Sequence, residues 1–284
     1  KITRKTKAII VTHMWGMPCQ MDEIKRIADE NKLILLEDIS HAFFAEYHGK
    51  KVGIFGSATA CSLQGQKTIT GGEGGFLITN NNEIFYRALS LGHYNKRCKN
   101  EIPSSHLFAR YALTGMGLKF RIHPLAAAIA EEQLIHIKKI IEGRNQTAKK
   151  LIFELQKVKG IEVPQIEENI QHGWYAFILR YKSEELDGLP IKEFYNALKA
   201  EGCQELDIPS STCPLNLIPL FQNPSHLFPH YKNKFSYKKG DFKNAEQFYD
   251  SILKLPVWDS KEEESVVDQY IKAFKKVSKN YIDL

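Results

Sequence analysis

Hydrophobic runs and amphipathic patterns alternate along the first part of the chain. The β-branched run at residues 7–12 predicts a buried strand, and residues 21–31 place their apolar side chains on one helical face. A second apolar run at residues 33–36 predicts another buried strand, which leads directly into Glu37 and Asp38. Because short links join this strand, helix and strand, the pattern indicates a βαβ unit and a parallel sheet.

The same alternation continues beyond the first unit. Residues 57–63 and 75–79 predict strands, and the segment between them is a polar loop rich in glycine. Residues 81–91 predict a helix with Asn81 as its cap, whereas residues 93–117 are polar and irregular. The pattern therefore favours an α/β fold, with a mixed and mostly parallel sheet between flanking helices.

A long helical pattern links this part to the rest of the chain. It runs from His123 to about Val158, and Gly143 and Asn145 are expected to interrupt it. We expect residues 1–145 to belong to a large domain and residues 146–284 to form a smaller α+β C-terminal domain. The remaining predicted segments are a strand at 173–181, a helix at 191–201, a long irregular stretch at 203–243 and helices at 244–253 and 260–280.

Composition restricts the function more than it defines it. With 43% hydrophobic and 25% charged residues, the 284-residue chain has the composition of a globular protein. A net charge of +6 suits anionic partners such as phosphates, but it is too small to indicate nucleic acid. The five cysteines are scattered without C-x-x-C spacing, which predicts reduced thiols in a cytoplasmic protein. No signal peptide or membrane span is expected, and because residue 1 is Lys rather than Met, a native N-terminus further upstream is one of the open alternatives.

Two phosphate-binding motifs are absent. Gly65-Gln66-Lys67-Thr68 has a residue between Gly and Lys, so it fails the Walker A pattern. The segment after the first strand contains one glycine, so it fails the G-x-G-x-x-G pattern of dinucleotide-binding folds. A nucleotide-dependent oxidoreductase is therefore disfavoured.

Two residues stand out by position. Lys67 follows a strand of small and apolar residues, where partial desolvation can turn a lysine into a nucleophile, although an exposed loop lysine is the simpler interpretation. Asp38 ends its strand and could bind a cationic ring nitrogen or a metal, or cap a helix. A metal site would require His13, His41 and His48 beside Asp38, and no established ligand spacing supports one.

The stretch from Tyr231 to Phe242 interleaves aromatic residues with lysines. It could cover a nucleotide or a phosphate chain, and a solvated loop with partly buried rings is slightly favoured.

Taken together, these segments resemble the DegT/DnrJ/EryC1/StrS family of sugar aminotransferases, in the fold-type I superfamily that depends on pyridoxal 5'-phosphate (PLP). The resemblance is densest over residues 1–150, and the order of its motifs makes it specific. The matching runs are TKAII at 6–10, LED at 36–38, SHA at 40–42, GKKVG at 49–53, SLQGQK at 62–67 and TGGEGG at 70–75, followed by Gly117 with Arg121.

The resemblance implies a role for each of these residues in holding the cofactor. Lys67 would form the internal Schiff base with PLP and then shuttle a proton between cofactor and substrate. Asp38 would pair with the pyridinium nitrogen, Ser62 would bind the phosphate, and His41 would stand near the ring hydroxyl, where many members have Gln. Lys119 replaces an Asn with which many members reach the neighbouring subunit's cofactor phosphate, so it is a further candidate.

The resemblance also implies the reaction and the assembly. An amino group would move from glutamate or glutamine to a keto sugar, probably nucleotide-linked, or to a cyclitol, as in the biosynthesis of polysaccharide or antibiotic sugars. Active sites at a homodimer interface would let His93 and Tyr94 contact substrate in the partner's site. Neither nucleic acid nor membrane is an expected partner, and no metal is expected.

Two alternatives to this function remain. Family members have a substantial segment before the first strand seen here, so a truncated or cofactor-free relative with a regulatory or binding role is the first. The second is a PLP-dependent sugar dehydratase, which Lys67 disfavours because such members carry His at that position.

Overall fold

The computed structural model describes residues 1–231 and 237–284. The interleaved aromatic and lysine stretch at 231–242 therefore lies partly outside the described residues. The strands are β1 (Ala8–Thr12), β2 (Ile34–Asp38), β3 (Glu46–Tyr47), β4 (Lys50–Lys51), β5 (Ala58–Ser62), β6 (Gly75–Ile78), β7 (Ile161–Glu162), β8 (Ile170–Gln171), β9 (Phe177–Tyr181) and β10 (Ile252–Leu255). The α-helices are α1 (Met21–Glu30), α2 (Asn82–Gly92), α3 (Lys96–Glu101), α4 (Pro124–Leu155), α5 (Ile191–Ala200), α6 (Pro219–Gln222), α7 (Lys243–Asp250) and α8 (Glu264–Lys279).

A four-stranded sheet carries the residues of the candidate site. Its strand order is β1-β2-β5-β6, in which β1, β2 and β5 pair in parallel and β6 pairs antiparallel with β5. The predicted α/β fold with a mixed, mostly parallel sheet is thereby confirmed. Strand β2 extends two residues beyond the predicted end, because Asp38 pairs with both Thr12 and Ala60.

The chain divides into two units, of which the first comprises residues 1–142 and 166–175. Residues 166–175 lie beyond the boundary that the sequence suggests at residue 145, and β8 joins this unit by pairing with β3. The core of the first unit contains Met21 and Ala28 from the apolar face of α1, together with Ile137 from α4. These side chains are almost fully removed from water, which stabilises the sheet by the hydrophobic effect.

The second unit comprises residues 143–165 and 176–284. Its sheet has the order β10-β9-β7 with antiparallel pairs, and α5, α7 and α8 belong to the same unit. Phe177, Phe194 and Phe274 are fully buried in its core. The prediction of a helix over residues 244–253 is wrong in its last part, because Ile252–Leu255 pairs with β9 as a strand.

Helix α4 continues without a break through the two residues that were expected to interrupt it. Gly143 is required there by a close approach, since a Cβ on it would lie 2.0 Å from the carbonyl oxygen of Asp259. The irregular segment predicted at residues 93–117 contains α3 and a short 3₁₀ helix at Leu107–Tyr111. The strand predicted at residues 173–181 begins only at Phe177.

In the part of the chain that the structure describes, no helix is both long and apolar enough to cross a membrane. The five cysteines carry free thiols.

Candidate functional site

Asp38 and Ser62 occupy the carboxyl ends of neighbouring parallel strands, β2 and β5. Ser40 links them, because its backbone N–H donates to Oδ1 of Asp38 at 2.9 Å and its Oγ accepts the backbone N–H of Ser62 at 3.1 Å. The Oγ of Ser62 accepts the backbone N–H of Gln64 at 3.2 Å. The carboxylate and the hydroxyl are thus fixed at the sheet edge where open α/β folds bind ligands.

The loop that carries Lys67 connects β5 to β6, and hydrogen bonds hold it on both sides of Lys67. The backbone N–H of Lys67 donates to the carbonyl of Gln64 at 2.9 Å. On the far side, the side-chain amide of Gln133 in α4 donates to the carbonyl of Thr70 at 2.8 Å and accepts its backbone N–H at 3.1 Å. Gly71 lies against α4, where a Cβ would stand 2.6 Å from the carbonyl oxygen of Ala126. A glycine is therefore required for this loop to pack on the helix.

Lys67 is half-buried and electrostatically coupled to Asp38. Burial lowers the pKa of the Lys67 ammonium, and the negative charge of Asp38 opposes that change without cancelling it. The same carboxylate adds to burial in raising the pKa of the Cys61 thiol to about 12. Lys67 is therefore an amine that gives up its proton more readily than a surface lysine, which suits a nucleophile or a proton carrier.

Three aromatic rings stack beside Lys67. The Nζ of Lys67 lies 4.8 Å from the centroid of the Tyr175 ring. The other rings are His41, parallel to Tyr175 with the centroids 3.9 Å apart, and Trp15, whose centroid is 5.5 Å from that of His41. The backbone N–H of Trp15 donates to Nδ1 of His41 at 3.4 Å. The three rings therefore form a stacked aromatic group against the amine of Lys67.

A buried hydrogen-bonded pair, Glu37 with His13, involves the residue directly before Asp38 in the sequence. Glu37 accepts the backbone N–H groups of Gly53 at 2.7 Å and Gly56 at 2.6 Å. His13 Nδ1 accepts the backbone N–H of Cys19 at 3.1 Å, so its Nε2 carries the proton and donates to Glu37 Oε2, also at 3.1 Å. The backbone N–H of His13 donates to the carbonyl of Asp38 at 3.1 Å. The pair therefore anchors the strand end that presents Asp38.

A separate cleft of about 1240 Å³ contains the other candidates, His93, Tyr94 and Lys119. The Nζ of Lys119 is 5.7 Å from the centroid of the Tyr94 ring, and the guanidinium of Arg121 is 5.4 Å from it. Burial, with Arg97 and Arg121 nearby, lowers the pKa of His93 and keeps its imidazole neutral at pH 7. Among the described residues that line the cleft none is acidic, so it favours an anionic ligand.

The structure thus divides the predicted site residues into two groups. Contacts and electrostatics connect Asp38, Ser62 and Lys67, and His41 joins them through the ring of Tyr175. In contrast, His93, Tyr94 and Lys119 line the cationic cleft. Residues 1–231 and 237–284 hold no cluster of three or more His, Cys, Asp or Glu able to bind a metal ion, and His48 pairs with Asp22 at 3.3 Å.

Sequence analysis did not identify Tyr175, Trp15 and Ser40 as parts of this site. Tyr175 lies within a run that has the apolar pattern of a strand, and its distance from Lys67 along the chain hides their contact. Ser40 stands two residues after Asp38, and this spacing is the one local signal that could have indicated the turn between them.

Comparison with protein families gives one match over nearly the whole chain. The model of the DegT/DnrJ/EryC1/StrS aminotransferase family matches residues 1–273.

Curated relatives resemble the chain over most of its length. An uncharacterised protein of Methanocaldococcus jannaschii is 34% identical over 277 residues, which cover 97% of this chain and 68% of the relative. The spore coat polysaccharide biosynthesis protein SpsC of Bacillus subtilis is 31% identical over 280 residues, with 98% and 68% covered. The L-glutamine:2-deoxy-scyllo-inosose aminotransferase of Streptomyces kanamyceticus is 30% identical over 226 residues, with 79% and 52% covered.

Solved structures share the fold. The aminotransferase from Psychrobacter cryohalolentis superposes with a TM-score of 0.78 at 22% identity, covering 98% of this chain and 70% of the other.

Proposed function

This chain belongs to the DegT/DnrJ/EryC1/StrS family of PLP-dependent aminotransferases, and from that premise we propose that it aminates a keto sugar or a cyclitol. Glutamate or glutamine is the proposed donor. The observation that carries the proposal is a half-buried lysine with a lowered pKa, coupled to the carboxylate of Asp38 at the end of β2. The relatives include a polysaccharide biosynthesis protein and a scyllo-inosose aminotransferase, so a nucleotide-linked keto sugar and a cyclitol both belong to the proposal.

The residues present fit PLP. Lys67 supplies an amine for the aldehyde, Asp38 an anionic partner for a protonated ring nitrogen, and Ser62 a hydroxyl for the phosphate. His41 would lie against the ring hydroxyl. When bound, PLP supplies an electron sink for the carbanion that forms when the amino-bearing carbon loses a proton.

The chain's own part of the reaction is acid–base work. Because burial lowers the pKa of Lys67, its Nζ can accept a proton from the donor's α-carbon and return a proton to the acceptor's former keto carbon. Asp38 would keep the ring nitrogen protonated throughout, since a carboxylate beside it stabilises the positive charge. The donor and the acceptor use one site in turn, which predicts ping-pong kinetics.

Two other functions, sugar dehydration and cofactor-free binding, fit the residues of the site less well than amino transfer. A PLP-dependent sugar dehydratase would need a group other than a covalently binding amine at residue 67, and Lys67 occupies that position. A cofactor-free binding protein would have no use for a desolvated lysine held beside a carboxylate. Both therefore rank below amino transfer.

We propose further that the protein acts as a homodimer with shared sites. The cationic cleft around His93, Tyr94 and Lys119 would then face the Lys67 group of the partner and bind the substrate's or the cofactor's anionic part. Residues 1–145 would form part of the PLP-binding domain, and residues 146–284 the small C-terminal domain.

A change of Asp38 to asparagine tests the ring-nitrogen role. The amide keeps the shape but not the charge, so we expect kcat to fall roughly 10²- to 10³-fold with the fold intact. Steady-state kinetics with a fixed donor would measure the loss. The control is Asp22→Asn on the exposed start of α1, which should retain activity. An Asp38→Asn enzyme with wild-type kcat would remove Asp38 from the site.

Mixing two inactive variants tests the shared site. Random reassembly of the two variants gives Lys67→Ala homodimers, hybrid dimers and Lys119→Glu homodimers in the ratio 1:2:1. Each hybrid has one site free of both changes, so roughly a quarter of wild-type activity should return. Analytical ultracentrifugation would establish the dimer, and differently tagged chains would establish the hybrids. Hybrids that stay inactive would contradict sharing, and a monomeric active enzyme would contradict the dimer.

The acceptor and donor are tested together by isotope transfer. The full gene product with PLP is incubated with α-¹⁵N-glutamate or α-¹⁵N-glutamine and a panel of nucleotide-linked keto sugars and keto cyclitols. Amino transfer predicts an aminated product that is heavier by one mass unit than the ¹⁴N control. A dehydrated product without ¹⁵N would support the dehydratase, and a failure to bind PLP would support the cofactor-free relative.

A further inference from the structure

Tyr175 has no place in the proposed chemistry so far, yet the structure puts its ring against the amine of Lys67. The Nζ lies 4.8 Å from the ring centroid, within the range of a cation–π contact. The ring itself is held by His41, whose imidazole is 3.9 Å away and tilted by only 4°. Tyr175 is half-buried, so part of the contact is shielded from water, which strengthens the attraction between a cation and an aromatic face.

The backbone around Tyr175 is built to hold it there. Its N–H donates to the carbonyl of Trp15 at 3.1 Å, and the N–H of Gly173 donates to the carbonyl of Gly16 at 2.8 Å. The two segments approach so closely that a Cβ on Gly16 would lie 2.6 Å from the backbone nitrogen of Trp174. A larger residue at position 16 would push Tyr175 away from His41.

Two bulky residues in this region adopt the left-handed backbone conformation. Trp15 has φ = 59° and Trp174 has φ = 48°, and such angles cost free energy in residues with a side chain. Trp174 is further fixed because its N–H donates to Nδ1 of His172 at 2.7 Å, and burial lowers the pKa of that histidine to about 3. The imidazole of His172 is therefore neutral near pH 7, and its Nδ1 accepts this bond there. Strained conformations of this kind cluster where a side chain must be placed accurately.

We propose that Tyr175 is a positioning residue that holds the amine of Lys67 whenever that amine is not bonded to PLP. The proposal rests on the proposed function, which requires Lys67 to be released and to act as a proton carrier during each half-reaction. The ring face keeps the flexible side chain close to Asp38 rather than in solvent, so the released amine stays within the site between the two half-reactions. Because the face attracts the charged form, it also favours the ammonium over the neutral amine.

The test follows the protonation of Lys67 in PLP-free protein. Trace labelling with acetic anhydride over pH 7–11, read by peptide mass spectrometry, gives the titration midpoint of each lysine amine. Tyr175→Leu keeps the space apolar but removes the π face, and Tyr175→Phe keeps the face. We expect the leucine variant to label roughly three- to fivefold faster at Lys67 below the midpoint, with a lower midpoint, and the phenylalanine variant to match wild type.

Controls separate the contact from a loss of structure. The exposed Lys25 and the half-buried, ion-paired Lys150 should label equally in all three proteins, and thermal unfolding should show one cooperative transition in each. Equal Lys67 midpoints in wild type and Tyr175→Leu would overturn the proposal. A midpoint in Tyr175→Phe that matches Tyr175→Leu would overturn it too, because the hydroxyl would then be responsible. Borohydride trapping of PLP on Lys67 in wild type is scored separately, so failure of the proposed function is distinguishable from failure of the Tyr175 contact.

Discussion

Replacing Lys67 with alanine is expected to lower kcat for amino transfer by at least roughly 10³-fold. The change removes a half-buried amine that is electrostatically coupled to Asp38. It takes away both the covalent anchor for PLP and the group that carries the proton. Steady-state turnover with the preferred donor and acceptor measures the loss, and the folded state is verified by thermal unfolding.

Two controls define the Lys67 result. Lys67→Arg retains the positive charge but cannot bond to an aldehyde or release a proton near neutral pH, so it should be as inactive as the alanine variant. Lys25→Ala, on the exposed face of α1, should have wild-type activity. Substantial turnover by Lys67→Arg would show that the residue contributes charge alone, and the aminotransferase account of this site would then be wrong.

Replacing Glu37 with alanine is expected to cost about 3–5 kcal/mol in the free energy of unfolding. Its side chain is fully buried and accepts bonds from His13 and from the backbone N–H groups of Gly53, Phe55 and Gly56. Alanine would leave these donors buried without an acceptor. Urea unfolding followed by circular dichroism measures the loss, and Glu30→Ala on the exposed face of α1 should change stability by less than about 1 kcal/mol.

The contribution of Glu37 should depend on pH in a defined direction. Burial raises the pKa of this carboxyl, but the bonds from His13, Gly53 and Gly56 outweigh burial and leave the pKa lowered. The stabilisation is therefore complete above the unfolded pKa of about 4.3 and is lost as pH falls through the folded pKa. The stability difference between wild type and Glu37→Gln should shrink below about pH 4, and a difference that grows with acid would contradict the assignment.

The sequence predicts the sheet better than it predicts the site. Apolar runs place β1, β2 and β5 to within two residues, because buried parallel strands are continuous hydrophobic segments. The first two residues of β10, Ile252 and Leu253, fall within the helix that the sequence predicts over residues 244–253. This segment is a strand because it pairs with β9, and no local sequence pattern reveals that pairing.

The candidate site shows the same limit. The family resemblance implied roles for Asp38, Ser62 and Lys67, and Asp38 and Ser62 end neighbouring parallel strands at one sheet edge. Tyr175 could not be found in this way, because it reaches Lys67 through backbone bonds to Trp15 and a close approach at Gly16. Such contacts depend on tertiary packing and leave no periodic signal in the sequence.

The most direct test of the account is to trap PLP on the protein. Wild type and Lys67→Ala are incubated with PLP, their visible absorbance is recorded, borohydride is added, and the modified peptide is mapped by mass spectrometry. The account predicts an absorbance band that borohydride abolishes in wild type, an adduct on Lys67, and neither in the variant. An adduct on a different lysine, or no adduct on folded wild-type protein, would contradict it.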